Sequence, residues 1–226
     1  MLQSKMIVAS REELVYQAIK DGILRGDFKP NDALNQADIA RQLGVSVIPV
    51  RSAISRLAAE GLLSQDAYHS PKVSALTRTE LEEVLLIGMQ LEILALRQAA
   101  PLITPEDLPP LRQLLAEMDT AVEQGRMEEF GYLNRDFHMA IYAHAPLPRL
   151  RQMIRDLWNM ADIHRYRAMF DLAPEMAGRA QSDHARLLEL IAAGQTDQAA
   201  VLLEAHKQYS RSCYLLAFEE LNRQNS

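Results

Sequence analysis

Glycine and proline cut this chain into a row of helix-length segments, and that punctuation constrains the fold more than any other feature. The breaks fall at Gly26/Pro30, Gly44, Gly61, Pro101, Gly125, Pro146/Pro148, Pro174/Gly178 and Gly194. Between them Leu, Ala, Met, Glu, Gln and Arg dominate, the residues that lose least on entering a helix. Aromatic residues make up only 6% of the 226 positions. A mainly α-helical fold follows, and short connections between long helices favour antiparallel neighbours in a bundle.

Start and stop signals place the elements. Ser10-Arg-Glu-Glu13 has the S-x-x-E form of a capping box, followed at helical spacing by Leu14, Val15, Ala18, Ile19 and Ile23. A second helix is predicted over about 36–43, with Ile39, Ala40 and Leu43 inward, ended by Gly44 in a left-handed cap. A third starts after Ser46, tolerates Pro49 in its first turn, and buries Val50, Ala53, Ile54 and Leu57. The stretch LLSQDAYHSPKVSAL (62–76) has apolar ends around a polar centre with a proline, which reads as two short strands joined by a wing. Thr77-Arg-Thr-Glu80 is a second capping box and opens a helix reaching about Ala100. Thr104-Pro105-Glu-Asp opens the next, with acids in its first turn. Further helices are predicted over 127–144, 148–170, 177–193 and 196–222. The domain boundary is expected near residues 74–78, dividing 1–76 from 77–226.

Charge is unevenly shared. Residues 1–78 hold ten Lys/Arg against eight Asp/Glu, and residues 79–226 fourteen against twenty-two, so the net −6 is carried by the second part. The most apolar run, 84–96, is interrupted by Gln90 and Glu92 and reads as too short to span a bilayer. No signal-peptide core precedes residue 13, and a lone Cys213 permits no internal disulfide, so a cytoplasmic protein without membrane contact is expected.

The tight turn LGVSVIPVRSAI (43–54) has the form of a helix-turn-helix. At 3.6 residues per turn, Val47, Arg51 and Ser55 align, with Ile48 and Ser52 beside them, opposite Val50, Ile54 and Leu57. Such a face would meet the major groove. Arg51 can fork onto a guanine edge or hold a phosphate, Ser52 and Ser55 can donate, and Val47 and Ile48 can only make apolar contacts such as those with thymine methyls. The alternative is that Val47 and Ile48 are partly buried. Lys5, Arg11, Lys29, Arg41, Arg56, Lys72 and Arg78 are candidate phosphate contacts; His69 and Lys72 lie in the wing.

In the second part Asn134 and His138 are four apart on one face of a predicted helix. His184 and His206 belong to two further helices. Three histidines from three helices can converge inside a bundle, although a single histidine on a half-apolar face is commonly a hydrogen-bonded core residue.

The pattern I23-x-x-G26-x-x-x-P30, L34, I39-A40-x-x-L43-G44-V45-S46, P49-V50-R51-x-A53 and L57-x-x-E60-G61-L62 resembles the winged helix-turn-helix of the GntR family of bacterial regulators. Asn134-Arg-Asp-Phe137-His138, His184, GQTDQAA (194–200) and His206 resemble the FCD effector domain of that family's FadR-type branch. The resemblance implies a homodimer on a pseudo-palindromic operator in double-stranded DNA, controlled by a small organic acid. It implies a divalent transition metal (zinc, nickel or manganese) on His138, His184, His206 and Asn134. FCD proteins that bind metal often carry aspartate at that last position; asparagine keeps a carbonyl oxygen but loses the charge, which implies either weaker metal affinity or an anionic ligand that completes the shell.

The departures are informative. Gln36-Ala37 stands where the family has an acidic-basic pair, Val47-Ile48 where it has Arg-Thr, and His69-Ser70-Pro71-Lys72 where the wing tip has glycine. Gly88-Met89-Gln90 lacks the arginine that often precedes Leu91-Glu92. Arg165 and Arg167 are candidate carboxylate clamps or, equally, surface arginines; His144 and His164 read as structural or exposed. No nucleophile or acid/base pair accompanies the histidines in the sequence, so a regulator is expected rather than an enzyme. A winged-helix interaction adaptor and a helical metal-dependent enzyme are the alternatives.

Overall fold

The computed structural model describes residues 10–64, 70–162 and 175–224. They divide into two compact units: the first runs to Ala75, and the second, apart from a short stretch beginning at Asp162, from Leu76 onward.

In the first unit α1 (Arg11–Arg25) starts at Ser10, whose side chain accepts from the Glu13 amide, and stops at Gly26 with φ 81°. The expected capping box is only half formed. The Glu13 carboxylate turns away from the cap to Gln17 and to Arg56 on α3. Helix α2 (Gln36–Leu43) is capped by Asn35, which accepts from Ala37 and Asp38, and ends at Gly44 with φ 64°. Helix α3 (Val47–Ala59) begins after Ser46, which holds the cap position by backbone alone and makes no side-chain cap bond. Most of the apolar stripes read from spacing are buried: Val15, Ile19 and Ile23 on α1, Ile39 and Ala40 on α2, Val50, Ala53, Ile54 and Leu57 on α3. Leu14 and Ala18 on α1 and Leu43 at the end of α2, read onto the same stripes, are exposed instead, because the buried face of α1 is centred on Val15, Tyr16 and Ile19 and Leu43 lies in the last turn before Gly44. The expected strands form as an antiparallel pair, β1 (Leu63–Ser64) and β2 (Lys72–Val73). Leu63 pairs with Val73 and both face the core, while Ser64 and Lys72 face out, the two-residue alternation of a half-buried sheet.

The second unit is all helical among the described residues. Helix α4 (Arg78–Ala99) opens on a complete Thr77/Glu80 capping box. Two 3₁₀ turns at Pro101 and Pro105 carry the chain into α5 (Leu108–Glu123). Then come α6 (Met127–Ala143), α7 (Pro148–Asp162), α8 (Glu175–Ala192) and α9 (Thr196–Gln224). The part of the predicted 148–170 helix beyond 162 lies outside the described residues. Helix α4 packs chiefly on α9, α5 on α6 and α8, and α8 on α9. Four ion pairs run along the α4–α9 seam in antiparallel order: Arg78–Glu219, Glu82–Arg211, Glu92–Lys207 and Arg97–Asp197.

Helical structure continues past the apolar run 84–96 in both directions, so Arg78–Leu102 is long and apolar enough to cross a membrane by length and composition. Its centre, however, is occupied by the buried Glu92, and its Leu96 and Ala99 face belongs to the main core of the unit with Phe130, Phe137, Ile141 and Leu203.

Candidate functional site

Three helices of the second unit bring His138 (α6), His184 (α8) and His206 (α9) together, each buried. One ring nitrogen from each lies within 4.8 Å of the others. His138 Nε2 stands 3.1 Å from His184 Nε2.

The opposite nitrogens explain the arrangement. Gln181 spends its amide hydrogens on the Leu115 carbonyl (2.9 Å) and Asp119 (2.8 Å). Its oxygen can therefore only accept, and it lies 3.2 Å from His184 Nδ1. His206 Nδ1 lies 3.2 Å from the Asp183 carboxylate. Tyr142 donates its hydroxyl to Glu92 at 2.9 Å, which leaves the phenolic oxygen to accept from His138 Nδ1 at 3.4 Å. Each acceptor assigns its histidine the tautomer with hydrogen on Nδ1 and a lone pair on Nε2. Burial holds all three histidines below the ordinary imidazole range, helped by the nearby Lys207 charge and, for His206, opposed by Asp183. A shared proton is thus disfavoured, and lone pairs face one another.

A cation bound among these nitrogens would resolve that conflict. With metal–nitrogen bonds of about 2.05 Å, two imidazole nitrogens sit roughly 2.9 Å apart at a right angle and roughly 3.3 Å apart at the tetrahedral angle. The 3.1 Å between His138 and His184 falls between these, so this pair is spaced as two ligands of one divalent transition ion, and His206 offers a third nitrogen within 4.8 Å of both. Asn134 is buried one helical turn before His138 on the same helix.

Sequence reasoning missed the groups behind the histidines. Gln181 and Tyr142 stand three and four residues from His184 and His138, spacings that stack side chains on one helix face and could have revealed them. Glu92 could not be found this way, since its partners are distant in sequence. It accepts from Tyr142, from Trp158 Nε1 at 3.0 Å and from Lys207 at 2.6 Å, tying α4 to α6, α7 and α9. Lys207 also lies 4.5 Å from the centre of the Trp158 ring. Burial lowers the lysine's affinity for its proton and Glu92 opposes that shift. Beside the buried Gly88, no described atom outside its own stretch of helix comes within 4 Å of where a Cβ would stand. Arg165, Arg167 and His164 lie outside the described residues. His144 caps the end of α6, 3.9 Å from Asp107.

On the first unit α3 presents Val47, Ile48, Arg51 and Ser55 outward, Ile48 at 79% exposure. Val47 and Ile48 are therefore not buried in this unit. Ser52, expected beside them, is half-buried and donates to Glu12 on α1. Arg56 lies against the Tyr16 ring at 3.7 Å and pairs with Glu13 and Glu60; Arg41 pairs with Asp38. Arg78 belongs to the second unit, where Glu82 and Glu219 hold it. Arg51 has no acidic partner among the described residues. Gln36 is half-buried at the start of α2, and Lys72 is exposed on β2. His69 and Lys5 lie outside the described residues.

Comparison with known proteins agrees with this two-part plan. The family model "Bacterial regulatory proteins, gntR family" matches residues 11–66, and the FCD domain model matches residues 83–208. The HTH-type transcriptional regulator McbR of Escherichia coli (strain K12) is 36% identical over 140 residues, which span 62% of this chain and 63% of that protein. The HTH-type transcriptional repressor GlaR of the same strain is 26% identical over 199 residues, covering 84% of this chain and 90% of that one. A solved structure of E. coli McbR/YncC superposes with a TM-score of 0.82 over 94% of this chain and 99% of its own, at 27% identity. A GntR-type structure from Rhodococcus sp. RHA1, 23% identical, shares the fold with a TM-score of 0.76. Proteins of this kind are DNA-binding regulators rather than enzymes, and the chain belongs to the GntR family of bacterial regulatory proteins, with an FCD effector domain.

Proposed function

We propose that this regulator binds a pseudo-palindromic operator as a homodimer in the cytoplasm, with a small organic acid setting its affinity for DNA. In this reading residues 1–76 form the DNA-binding domain and 77–226 the effector domain. His138, His184 and His206 hold a divalent ion (zinc, nickel or manganese), with the Asn134 carbonyl oxygen as a further donor. The ion supplies a Lewis-acid site for a carboxylate. The single observation that carries the reading is the convergence of three imidazoles whose Nδ1 partners leave an Nε2 lone pair on each.

The donor set also favours an anionic ligand. Imidazoles and an amide oxygen are all neutral, and the buried Glu92 is already matched by Lys207. Asp183, at 22% side-chain exposure, is the acid behind the site and offsets part of a +2 ion. A carboxylate completing the shell would balance more of it. Control of DNA binding then requires that the ligand bind two arrangements of the protein with unequal affinity.

Two measurements test the reading. Purified protein incubated with zinc or nickel should retain metal, as determined by elemental analysis, and His206→Ala should lose it; no metal in either overturns the metal centre. A footprint on the DNA upstream of its own gene, at two salt concentrations, should show specific and salt-sensitive protection that Arg51→Ala abolishes. No protection at low salt overturns the operator reading.

A further inference from the structure

We infer that this regulator reads thymine methyl groups in its operator, with Ile48 as the principal reader and Val47 beside it. The inference rests on the DNA-binding reading above and names the base chemistry that α3 selects.

Elimination along a single helix face points to these two side chains. Ser52 is engaged with Glu12 and Arg56 with Glu13, Glu60 and the Tyr16 ring, so both are committed to α1 and the end of α3. The polar groups left on the outward face are Arg51 and Ser55. Around the turn between α2 and α3, three large apolar side chains stand in water within six residues: Leu43 at 40% exposure, Val47 at 36% and Ile48 at 79%. Ile48 is the most exposed large apolar residue among those described. It occupies the first turn of the helix, the part of a recognition helix that reaches base edges.

An isoleucine in the major groove can neither donate nor accept. Against a G·C pair it strips water from the guanine N7 and O6 acceptors and the cytosine amino group and returns nothing. The thymine 5-methyl is the one apolar feature that the major groove offers. Selection therefore arises twice, by favourable contact with the methyl and by the cost of covering polar edges elsewhere. Arg51, close by on the same face, supplies the complementary polar contact to guanine or phosphate.

The test uses the full chain and the fragment protected in the footprint. Thymines in each half-site are replaced one at a time by uracil, which removes only the methyl, and affinity is read by fluorescence anisotropy at fixed salt. At one or two positions per half-site uracil should weaken wild-type binding about three- to tenfold, of the order expected when one buried methyl is lost. Ile48→Ala should weaken binding to the thymine site by a similar factor and be indifferent to uracil at the same position, the non-additive result of two changes that remove one contact. Val47→Ala repeats the test at a neighbouring position, and unchanged thermal unfolding is expected for both because neither side chain is buried. Equal uracil penalties in wild type and both variants, or none in any, overturn the inference while leaving the operator intact. Failure of the wild type to bind any fragment specifically at low salt overturns the DNA-binding reading along with it.

Discussion

His138 and His184 face each other Nε2 to Nε2 across 3.1 Å, with Tyr142 and Gln181 fixing the far side of each ring. Burial keeps both imidazoles, and His206, well disposed to stay neutral in the folded chain. The unfolded chain titrates its histidines near 6.5. Below that pH the unfolded state binds protons that the folded state refuses, so stability present at neutral pH is lost as pH falls through 6.5. Metal-free protein should therefore show a falling unfolding midpoint between pH 7.5 and 5.5, by up to about 1.4 kcal/mol per pH unit for each histidine fully linked. Added zinc should raise the midpoint at pH 7.5 and sharpen its loss on acidification, because protons and metal compete for the same nitrogens. A midpoint flat across that range, measured by urea titration after chelation, contradicts the account.

Asp183 offers a separate handle on the same centre. Its carboxylate orients His206 from Nδ1 and contributes negative charge. Partners of this kind typically influence metal affinity by 10- to 100-fold when removed. Asp183→Ala should weaken zinc binding by about that factor, measured by competition with a chromophoric chelator. Asp183→Asn, which keeps an accepting oxygen, should fall between wild type and alanine. Identical affinities in all three proteins would show that the carboxylate has no part in holding the ring.

The order of helices and their stops were legible because each rests on local chemistry. Gly26 and Gly44 adopt positive φ where the helices end, and Thr77 with Glu80 forms the box its spacing announces. The convergence of the three histidines was legible only as three positions on three faces. Tyr142 and Gln181 share a helix with the histidines they orient and were open to spacing arguments, but Asp183 reaches His206 from another helix, and sequence spacing carries no information on which helices touch. Glu92 shows the limit: its partners Tyr142, Trp158 and Lys207 lie 50 or more residues away, so nothing near Glu92 marks it as a hub. Ser10-x-x-Glu13 errs for a related reason. Arg56 comes within 2.8 Å of Glu13 from another helix, and that charge outcompetes the cap's own backbone amide.

Tyr16 joins α1 to the end of α3. Its hydroxyl donates to the Glu60 carboxylate at 2.6 Å, and Lys20 reaches the same hydroxyl at 3.0 Å. Desolvation and the Glu60 charge push the phenol far above its usual range, so it remains a donor at any working pH. Tyr16→Phe deletes that donor and leaves Glu60, at 14% side-chain exposure, less well satisfied. A hydrogen bond to a charged partner contributes about 1.5–3 kcal/mol, so the variant should lose on the order of 2 kcal/mol in chemical unfolding of the full chain. A loss within experimental error would mean that water replaces the hydroxyl at no cost.

Arg51 and Arg56 lie five residues apart on α3 and should fail in opposite ways. Arg56 is committed within the fold: it covers the Tyr16 ring at 3.7 Å and meets Glu13 and Glu60. A cation over an aromatic face is worth about 0.5–1 kcal/mol at an exposed site, and its half-exposed ion pairs add little. Arg56→Ala should lower stability by about 1 kcal/mol and leave the salt dependence of operator binding unchanged. Arg51 is exposed with no acidic partner among the described residues, so its loss should leave stability within about 0.5 kcal/mol. If Arg51 holds a phosphate, Arg51→Ala should reduce the slope of log affinity against log salt by about one. If it forks onto a guanine, the slope should stay and the preference at one base pair should relax by about 1–3 kcal/mol. Anisotropy titrations at three salt concentrations, with one guanine per half-site changed, separate these outcomes; unaltered affinity, slope and preference would remove Arg51 from the interface.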